Sequence, residues 1–312
     1  MVPHLNLPGR DRPTVAVLKP PYLLPNLWPG TELSPVFQTD SPLSSSFTHV
    51  PRKRFGQNFL HDPNVIAKIV SAINIQPDDL IIEIGPGLGA LTEPILELVK
   101  FLHAIELDRN LAAELGDRLA ADRCKIHQCD ALAFDYKALT DSAHNLRIIG
   151  NLPYNISTPL IFHLLGQQTC IKDMHFMLQK EVVERMVAGP GSRSYGRLGI
   201  MLQIYCQCEK LFNVGSASFN PRPKVDSAVV RLIPHPHPQA DDETLHMLDP
   251  LLKQVFSRRR KTIRNCLRGL LDEADIDDCK VDPGKRPEQL DIHQFIMLAQ
   301  RLVEIEASKA LL

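Results

Sequence analysis

From Leu80 onward, short apolar runs alternate with amphipathic stretches, and this alternation constrains the fold more than any other feature of the chain. Leu80 to Ile84, Phe101 to Ile105, Lys125 to Gln128, Leu146 to Gly150 and Asp173 to Leu178 read as buried strands. Asn110 to Leu119 and Lys180 to Val187 carry helical spacing. Strands and helices that take turns in this way build an α/β fold, a mostly parallel sheet with helices on both faces. Val225 to Ile233 is a longer β-branched run that could close the sheet, and Pro234, Pro236 and Pro238 then break the chain. Beyond Glu243, Leu245, Leu248, Leu251, Leu252, Val255 and Phe256 recur at helical spacing without any strand signal. The spacing predicts two units, an α/β domain over residues 51–236 and a small all-helical domain over 237–312.

The first fifty residues are different. Nine prolines interrupt any helix there, and Ser44, Ser45 and Ser46 follow. Such a segment is expected to be disordered: an inert tail, or a reading frame that runs upstream of a start near Val50. It lacks the basic start and apolar stretch of a secretory signal, and Asp11, Glu32 and Asp40 argue against an organelle transit peptide. Order is expected from Asp62-Pro63, a helix cap and first turn ahead of Val65, Ile66, Ile69, Val70 and Ile73.

Composition excludes several classes. With 44% hydrophobic and 23% charged residues, and no apolar run near the roughly 20 residues of a membrane span, the expectation is a cytoplasmic enzyme without a membrane partner. The seven cysteines are odd in number and scattered, so they are expected to be reduced thiols. Cys206 and Cys208 are too close together for a usual zinc hairpin, and no metal is expected. The net charge of -1 means that a polyanionic partner must meet a local positive surface. One exists: Lys253, Arg258, Arg259, Arg260, Lys261, Arg264 and Arg268 fall in sixteen residues that hold no acid, and Asp272, Glu273, Asp275, Asp277 and Asp278 follow. A helix over this block would carry a concentrated positive field suited to phosphate contact. Arg52, Lys53, Arg54, Arg222 and Lys224 would extend it.

The segment Glu83-Ile84-Gly85-Pro86-Gly87-Leu88-Gly89 follows the first sheet strand. Glycines at such a turn let the backbone pass close to a ligand that side chains would block. Glu106 ends the next strand, where a carboxylate can accept from both ribose hydroxyls. Asp130 ends the third and could hold an adenine amino group. Three strand ends thus suit an adenosine ligand. Pro86 and the tight glycine spacing fit poorly with a pyrophosphate cradle, whereas S-adenosylmethionine carries no phosphate.

The fourth strand runs into Asn151-Leu152-Pro153-Tyr154, which resembles the Asn-Pro-Pro-Tyr loop of methyltransferases that modify amino nitrogens, with Leu152 in place of the first proline. An adenine amino group is a poor nucleophile because its lone pair is delocalised into the ring. The Asn151 side-chain oxygen and the Leu152 carbonyl could accept its two hydrogens and aim the lone pair, while Tyr154 stacks on the extruded base.

Taken together with Arg52 to Leu60, Glu106-Leu107-Asp108, Asp130-Ala131, Phe176 to Met186 and Phe219 to Val230, these segments resemble in order the ribosomal RNA adenine dimethyltransferase family, in particular its bacterial small-subunit members. The resemblance covers nearly everything after Pro51. It implies a Rossmann-like class I methyltransferase domain with a seven-stranded sheet, S-adenosylmethionine as methyl donor and no metal. It implies a cofactor pocket lined by Asn58, Leu60, Gly85, Glu106, Asp130 and Asn151, with Gln57 and Ala131 adjacent. It assigns catalysis to Asn151, Leu152 and Tyr154, and places Phe219 over the second face of the adenine. RNA contact would fall to Arg222, Lys224, Arg258, Arg259, Arg260, Lys261 and Arg264. The implied reaction is dimethylation of two adjacent adenosines in the 3′-terminal hairpin of 16S ribosomal RNA, by a monomer acting on a pre-30S particle. Two rivals share these residues: a resistance-type methyltransferase of large-subunit RNA, and a catalytically silent RNA-binding factor on the same fold.

Overall fold

Asp62 begins the order as expected: its side chain accepts from Asn64 N and Val65 N, and Pro63 occupies the first turn of α1 (Pro63–Ile73). The computed structural model describes residues 57–310. The proline-rich segment 1–50, together with Arg52, Lys53 and Arg54, lies outside the described residues. Ahead of α1 stands β1 (Phe59–Leu60), and after it the expected alternation unfolds: β2 (Leu80–Ile84), α2 (Thr92–Leu96), β3 (Leu102–Glu106), α3 (Arg109–Arg118), β4 (Cys124–Gln128), β5 (Leu146–Asn151), α4 (Ser157–Leu165) and β6 (Ile171–Gln179). The chain continues through α5 (Lys180–Met186), α6 (Arg197–Tyr205), β7 (Cys206–Val214), β8 (Phe219–Asn220) and β9 (Ser227–Pro234). It ends in α7 (Asp242–Ser257), α8 (Ile263–Cys266), α9 (Glu273–Asp278) and α10 (Ile292–Ala310).

Seven strands form one sheet in the order β4-β3-β2-β5-β6-β9-β7. β4, β3, β2, β5 and β6 are parallel, and β9 runs antiparallel between β6 and β7. The order reverses beside β2: β3 and β4 step outward on one side, and the chain then returns to place β5 on the other. In open α/β sheets the crevice at the carboxyl ends of such a pair is where ligands bind. A separate antiparallel pair, β1 with β8, sets Phe59 opposite Asn220 and Leu60 opposite Phe219.

Alternation along each strand sorts neighbours onto opposite faces of the sheet. Ile82, Ile148, Phe176 and Val230 enter one apolar cluster, while Ile81, Ile149, Met177 and Val229 enter another with Ile69, Ile73 and Ile95. The first cluster runs on into the carboxyl-terminal helices through Leu245, Leu248, Leu252, Phe295 and Leu298. At the opposite end of β5 from the crevice, buried Arg147 donates to Asp173 Oδ1 at 3.0 Å and to the Ile73 carbonyl at 2.6 Å, and pairs with Asp79 at 2.5 Å. This network fastens the end of α1 to the sheet.

Two elements differ from the sequence reading. β7 has no apolar run: Gln207, Glu209 and Asn213 face solvent on the sheet's outer strand, so half its positions are polar. The basic block does not form one helix. α7 stops at Ser257, Arg258 leaves helical geometry, and α8 resumes only at Ile263. Four adjacent cations on one helix would crowd like charges, and here Arg258 to Lys261 occupy the turn between helices.

Candidate active site

The end of β2 meets the end of β5 at unusually close range because of Gly150. A Cβ there would stand 2.5 Å from the Ile84 carbonyl oxygen and 3.0 Å from Leu152 Cδ2. Glycine therefore lets β5 deliver Asn151 beside the glycine turn, and the Asn151 carbonyl lies 3.9 Å from where a Gly85 Cβ would be. Gly85, Gly87 and Gly89 all adopt positive φ, at 69°, 57° and 86°, a region that side chains make costly. The turn is braced from below: Gly85 N donates to the Ile105 carbonyl at 2.9 Å, and the Arg118 guanidinium donates to the Leu88 carbonyl at 2.6 Å.

Carboxylates ring the resulting cleft. Glu106 is 7% exposed, and its two oxygens accept from Gly87 N at 3.2 Å and Asp108 N at 2.8 Å. Burial raises its carboxyl above the usual range, and these backbone donors oppose the rise. Each oxygen keeps a second lone pair for a ligand hydroxyl. Glu83, fully enclosed at the end of β2, accepts from the Thr92 hydroxyl at 2.6 Å. Burial pushes it up to about 7, with Thr92 opposing and the Glu106 charge adding. Asp108 caps α3 through Asn110 N at 3.0 Å and accepts from Gln57 Nε2 at 3.3 Å. Exposed Asp130 holds its own turn through Leu132 N at 2.9 Å.

The cleft is lined by Asn58, Leu60, Gly85, Glu106, Asp130, Asn151, Leu152 and Tyr154 among others, and by Gln57 and Ala131. No lysine or arginine is among its lining residues, which include Glu83, Glu106, Asp108 and Asp130. Asn151 Nδ2 donates to the Asn58 carbonyl at 3.1 Å; the amide nitrogen is thereby engaged, which directs the side-chain oxygen to act as acceptor elsewhere. Leu152 N donates to the Met177 carbonyl at 3.2 Å, and the Tyr154 hydroxyl sits 3.1 Å from Ser227 Oγ. These bonds fix the turn to β6 and β9. Phe219 does not join the cleft: it is 3% exposed and packs in the cluster that holds Leu60, Ile69, Val214 and Val229.

Away from the cleft, Arg258, Arg260 and Lys261 are exposed. Arg259 donates to the Arg193 carbonyl at 3.2 Å, and Arg264 pairs with Glu273 at 2.6 Å. Arg222 and Lys224 are exposed on the segment between β8 and β9. Sequence reasoning missed Gly150, whose role depends on a partner strand 66 positions earlier, and Asp108, which the Gln57 contact reveals. Among the described residues, no group of three or more His, Cys, Asp or Glu side chains could hold a metal ion, and no helix is long and apolar enough to cross a membrane.

The sequence profile described as Ribosomal RNA adenine dimethylase matches residues 48–304. The chain belongs to the ribosomal RNA adenine dimethylase family. Relatives called ribosomal RNA small subunit methyltransferase A include one from Chromobacterium violaceum, 54% identical over 81% of this chain and 96% of its own length. Another, from Pseudomonas fluorescens, is 52% identical over 84% of this chain and 97% of its own. Among solved structures, a dimethyladenosine transferase from Plasmodium falciparum superposes with a TM-score of 0.62 at 29% identity, covering 80% of this chain and 97% of that one. The 23S rRNA methyltransferase ErmE also reaches 0.62, at 25% identity, over 78% and 99%. The fold is thus the class I methyltransferase fold of ribosomal RNA adenine dimethylases, with a helical region at its carboxyl end.

Proposed function

We propose that this protein transfers methyl groups from S-adenosylmethionine to the exocyclic amino group of adenine in small-subunit ribosomal RNA, twice per base. The observation that carries this reading is the cleft's charge: Glu106, Asp108 and Asp130 line it, with the enclosed Glu83 behind them, and no lysine or arginine does. Such a surface suits an adenosine ligand bearing positive charge and no phosphate, and repels the pyrophosphate of a dinucleotide. Gly85, where a Cβ would find its nearest neighbour only at 3.9 Å, leaves room for that ligand against the backbone. S-adenosylmethionine, when bound, supplies an electrophilic methyl group on a sulfonium.

The chain's own residues do the rest by positioning and polarisation. Glu106 accepts from the ribose and Asp130 from the adenine of the cofactor, with Asn58, Leu60, Gly85 and Asn151 closing the pocket. The Asn151 side-chain oxygen and the Leu152 carbonyl accept the two hydrogens of the substrate amine, drawing its nitrogen towards tetrahedral geometry. Tyr154, held by Ser227, stacks on one face of the extruded base. Phe219, 3% exposed in an apolar cluster, would have to turn towards the cleft to cover the other face. Arg222, Lys224, Arg258, Arg259, Arg260, Lys261 and Arg264 hold RNA phosphates, and we assign residues 51–236 to methyl transfer and 237–312 to RNA binding.

The finer assignment is two adjacent adenosines in the 3′-terminal hairpin of 16S RNA, presented on a pre-30S particle to a cytoplasmic monomer. The identity of 52–54% to relatives named for the small subunit, against 25% to the 23S rRNA methyltransferase ErmE, supports it over a large-subunit target. An intact Asn151 turn beside the glycine turn supports chemistry over a silent factor. The test is labelled-methyl transfer to small-subunit particles that lack the modification, followed by nucleoside analysis. Dimethyladenosine is expected with the natural protein, and a loss of about 10²- to 10³-fold in rate with Asn151→Ala; label on any other base would refute the substrate.

A further inference from the structure

Residues 221–226 connect β8 to β9, and the strand residues at both ends of the segment are fastened to residues that line the cleft. Asn220 pairs with Phe59 of β1 at one end, and Ser227 Oγ meets the Tyr154 hydroxyl at 3.1 Å at the other. The segment is also braced from within. Arg222 Nε donates to Ser216 Oγ at 3.0 Å, Ser216 N donates to Asp226 Oδ1 at 3.1 Å, and Lys180 N donates to the Asp226 carbonyl at 3.0 Å. Pro221 and Pro223 restrict φ further. A segment held at this many points is preformed, so little conformational entropy is lost when it meets a partner.

Its outward surface combines two chemistries. Arg222 and Lys224 are exposed, and beside Lys224 stands Val225 at 45% exposure. A lone valine in water needs no explanation. Only five large apolar side chains among the described residues are so exposed, however, and two of them, Leu88 and Leu107, line the cleft itself. Val225 is the one carried on this braced segment, two residues before the Ser227 that meets Tyr154, and next to a cation. Extruding a base leaves its former neighbour without a stacking partner, at a cost of a few kcal/mol. Proteins that partly unstack and kink a duplex frequently do so by wedging an apolar side chain between bases, and the same contact would shield a base left without its neighbour.

We propose that Val225 packs against the base left unstacked when the target adenine enters the cleft, while Arg222 and Lys224 hold the flanking phosphates. Val225 is then a positioning residue: it touches neither the reacting nitrogen nor the cofactor, and it favours the extruded state. This inference rests on the RNA adenine methyltransferase reading above. It predicts that the contribution of Val225 exists only when the neighbouring base is present.

The test compares wild type, Val225→Thr and Val225→Leu on small-subunit particles reconstituted with either of two RNAs, one with the natural 3′-terminal hairpin and one with an abasic site beside the target adenine. Val225→Thr keeps the shape and removes the apolar contact. Its kcat/KM is expected to fall about five- to tenfold on the intact hairpin and to match wild type on the abasic one. Val225→Leu is expected to restore the intact-hairpin value, with cofactor affinity and melting temperature unchanged in both variants. Equal losses on both RNAs, or no loss on the intact hairpin, would overturn the inference. Wild type that leaves particles carrying the intact hairpin unmethylated would overturn the parent reading, and this one with it.

Discussion

Replacing Gly150 by alanine should damage methyl transfer far more than its position outside the reacting groups would suggest. The added Cβ would lie 2.5 Å from the Ile84 carbonyl oxygen, where real Cβ contacts essentially never fall below 3.0 Å, so β5 must withdraw from β2 by at least the 0.5 Å difference. Leu152 Cδ2 at 3.0 Å would have to give way as well. Overpacking of this kind costs about 1–3 kcal/mol of stability. The next residue is Asn151, so the displacement reaches the amine acceptors directly. Misplacement by about 1 Å lowers a rate on the order of 10²-fold, and half that distance implies a loss of roughly tenfold. Single-turnover methyl transfer at saturating cofactor and RNA measures the rate, and urea denaturation measures the stability. Gly189→Ala is the control, because a Cβ there meets nothing within 4 Å; it should stay within about 0.5 kcal/mol of the natural protein. A Gly150→Ala protein with unchanged rate and stability would refute the claim that this close approach sets the site.

Other consequences can be measured separately. Glu83 holds its proton up to about 7 in the folded state because of burial, above its ordinary value of 4.5. Between those values the unfolded chain has released a proton that the folded one keeps, so stability should decline by about 3 kcal/mol as pH rises through the window. Urea titrations from pH 4.5 to 8 should show that slope, and Glu83→Gln should flatten it; an identical slope in the variant would count against the assignment. Asp173→Ala leaves the buried Arg147 guanidinium short of a carboxylate, and denaturation should show a loss of about 3–5 kcal/mol. Arg260→Gln should reduce the log-log salt slope of RNA binding by about 0.7–0.9 if that side chain holds one phosphate, and an unchanged slope would exclude it. The substrate amine offers two hydrogens to Asn151 and Leu152, the monomethyl amine one and the dimethyl product none. Dimethylated RNA should therefore bind more weakly than unmodified RNA in a filter-binding titration, and tighter binding would contradict the two-acceptor arrangement.

The central strand β2 was legible because burial on both faces makes it a nearly continuous apolar run, Leu80–Ile84, broken only by Glu83. β7 was not, since an outer strand with Gln207, Glu209 and Asn213 in solvent breaks that signal. Glycine spacing and strand-end acids announced Gly85, Glu106 and Asp130 locally. Gly150 looked like any strand residue, because its meaning lies in the Ile84 carbonyl it approaches. The basic block showed its charge but not its shape: composition gave no sign that α7 would end at Ser257 and leave Arg258 to Lys261 in a turn. Phe219 illustrates the reverse, a residue whose motif suggested exposure to a base and whose apolar surroundings bury it.

The most direct measurement is a structure of the protein with S-adenosylhomocysteine and the target RNA hairpin, read for two distances from the adenine amino nitrogen. It should lie roughly 2.7–3.2 Å from both the Asn151 side-chain oxygen and the Leu152 carbonyl, with its lone pair facing the cofactor sulfur. An adenine that stays in its helix, or enters with the amino group turned away from those oxygens, would contradict the account.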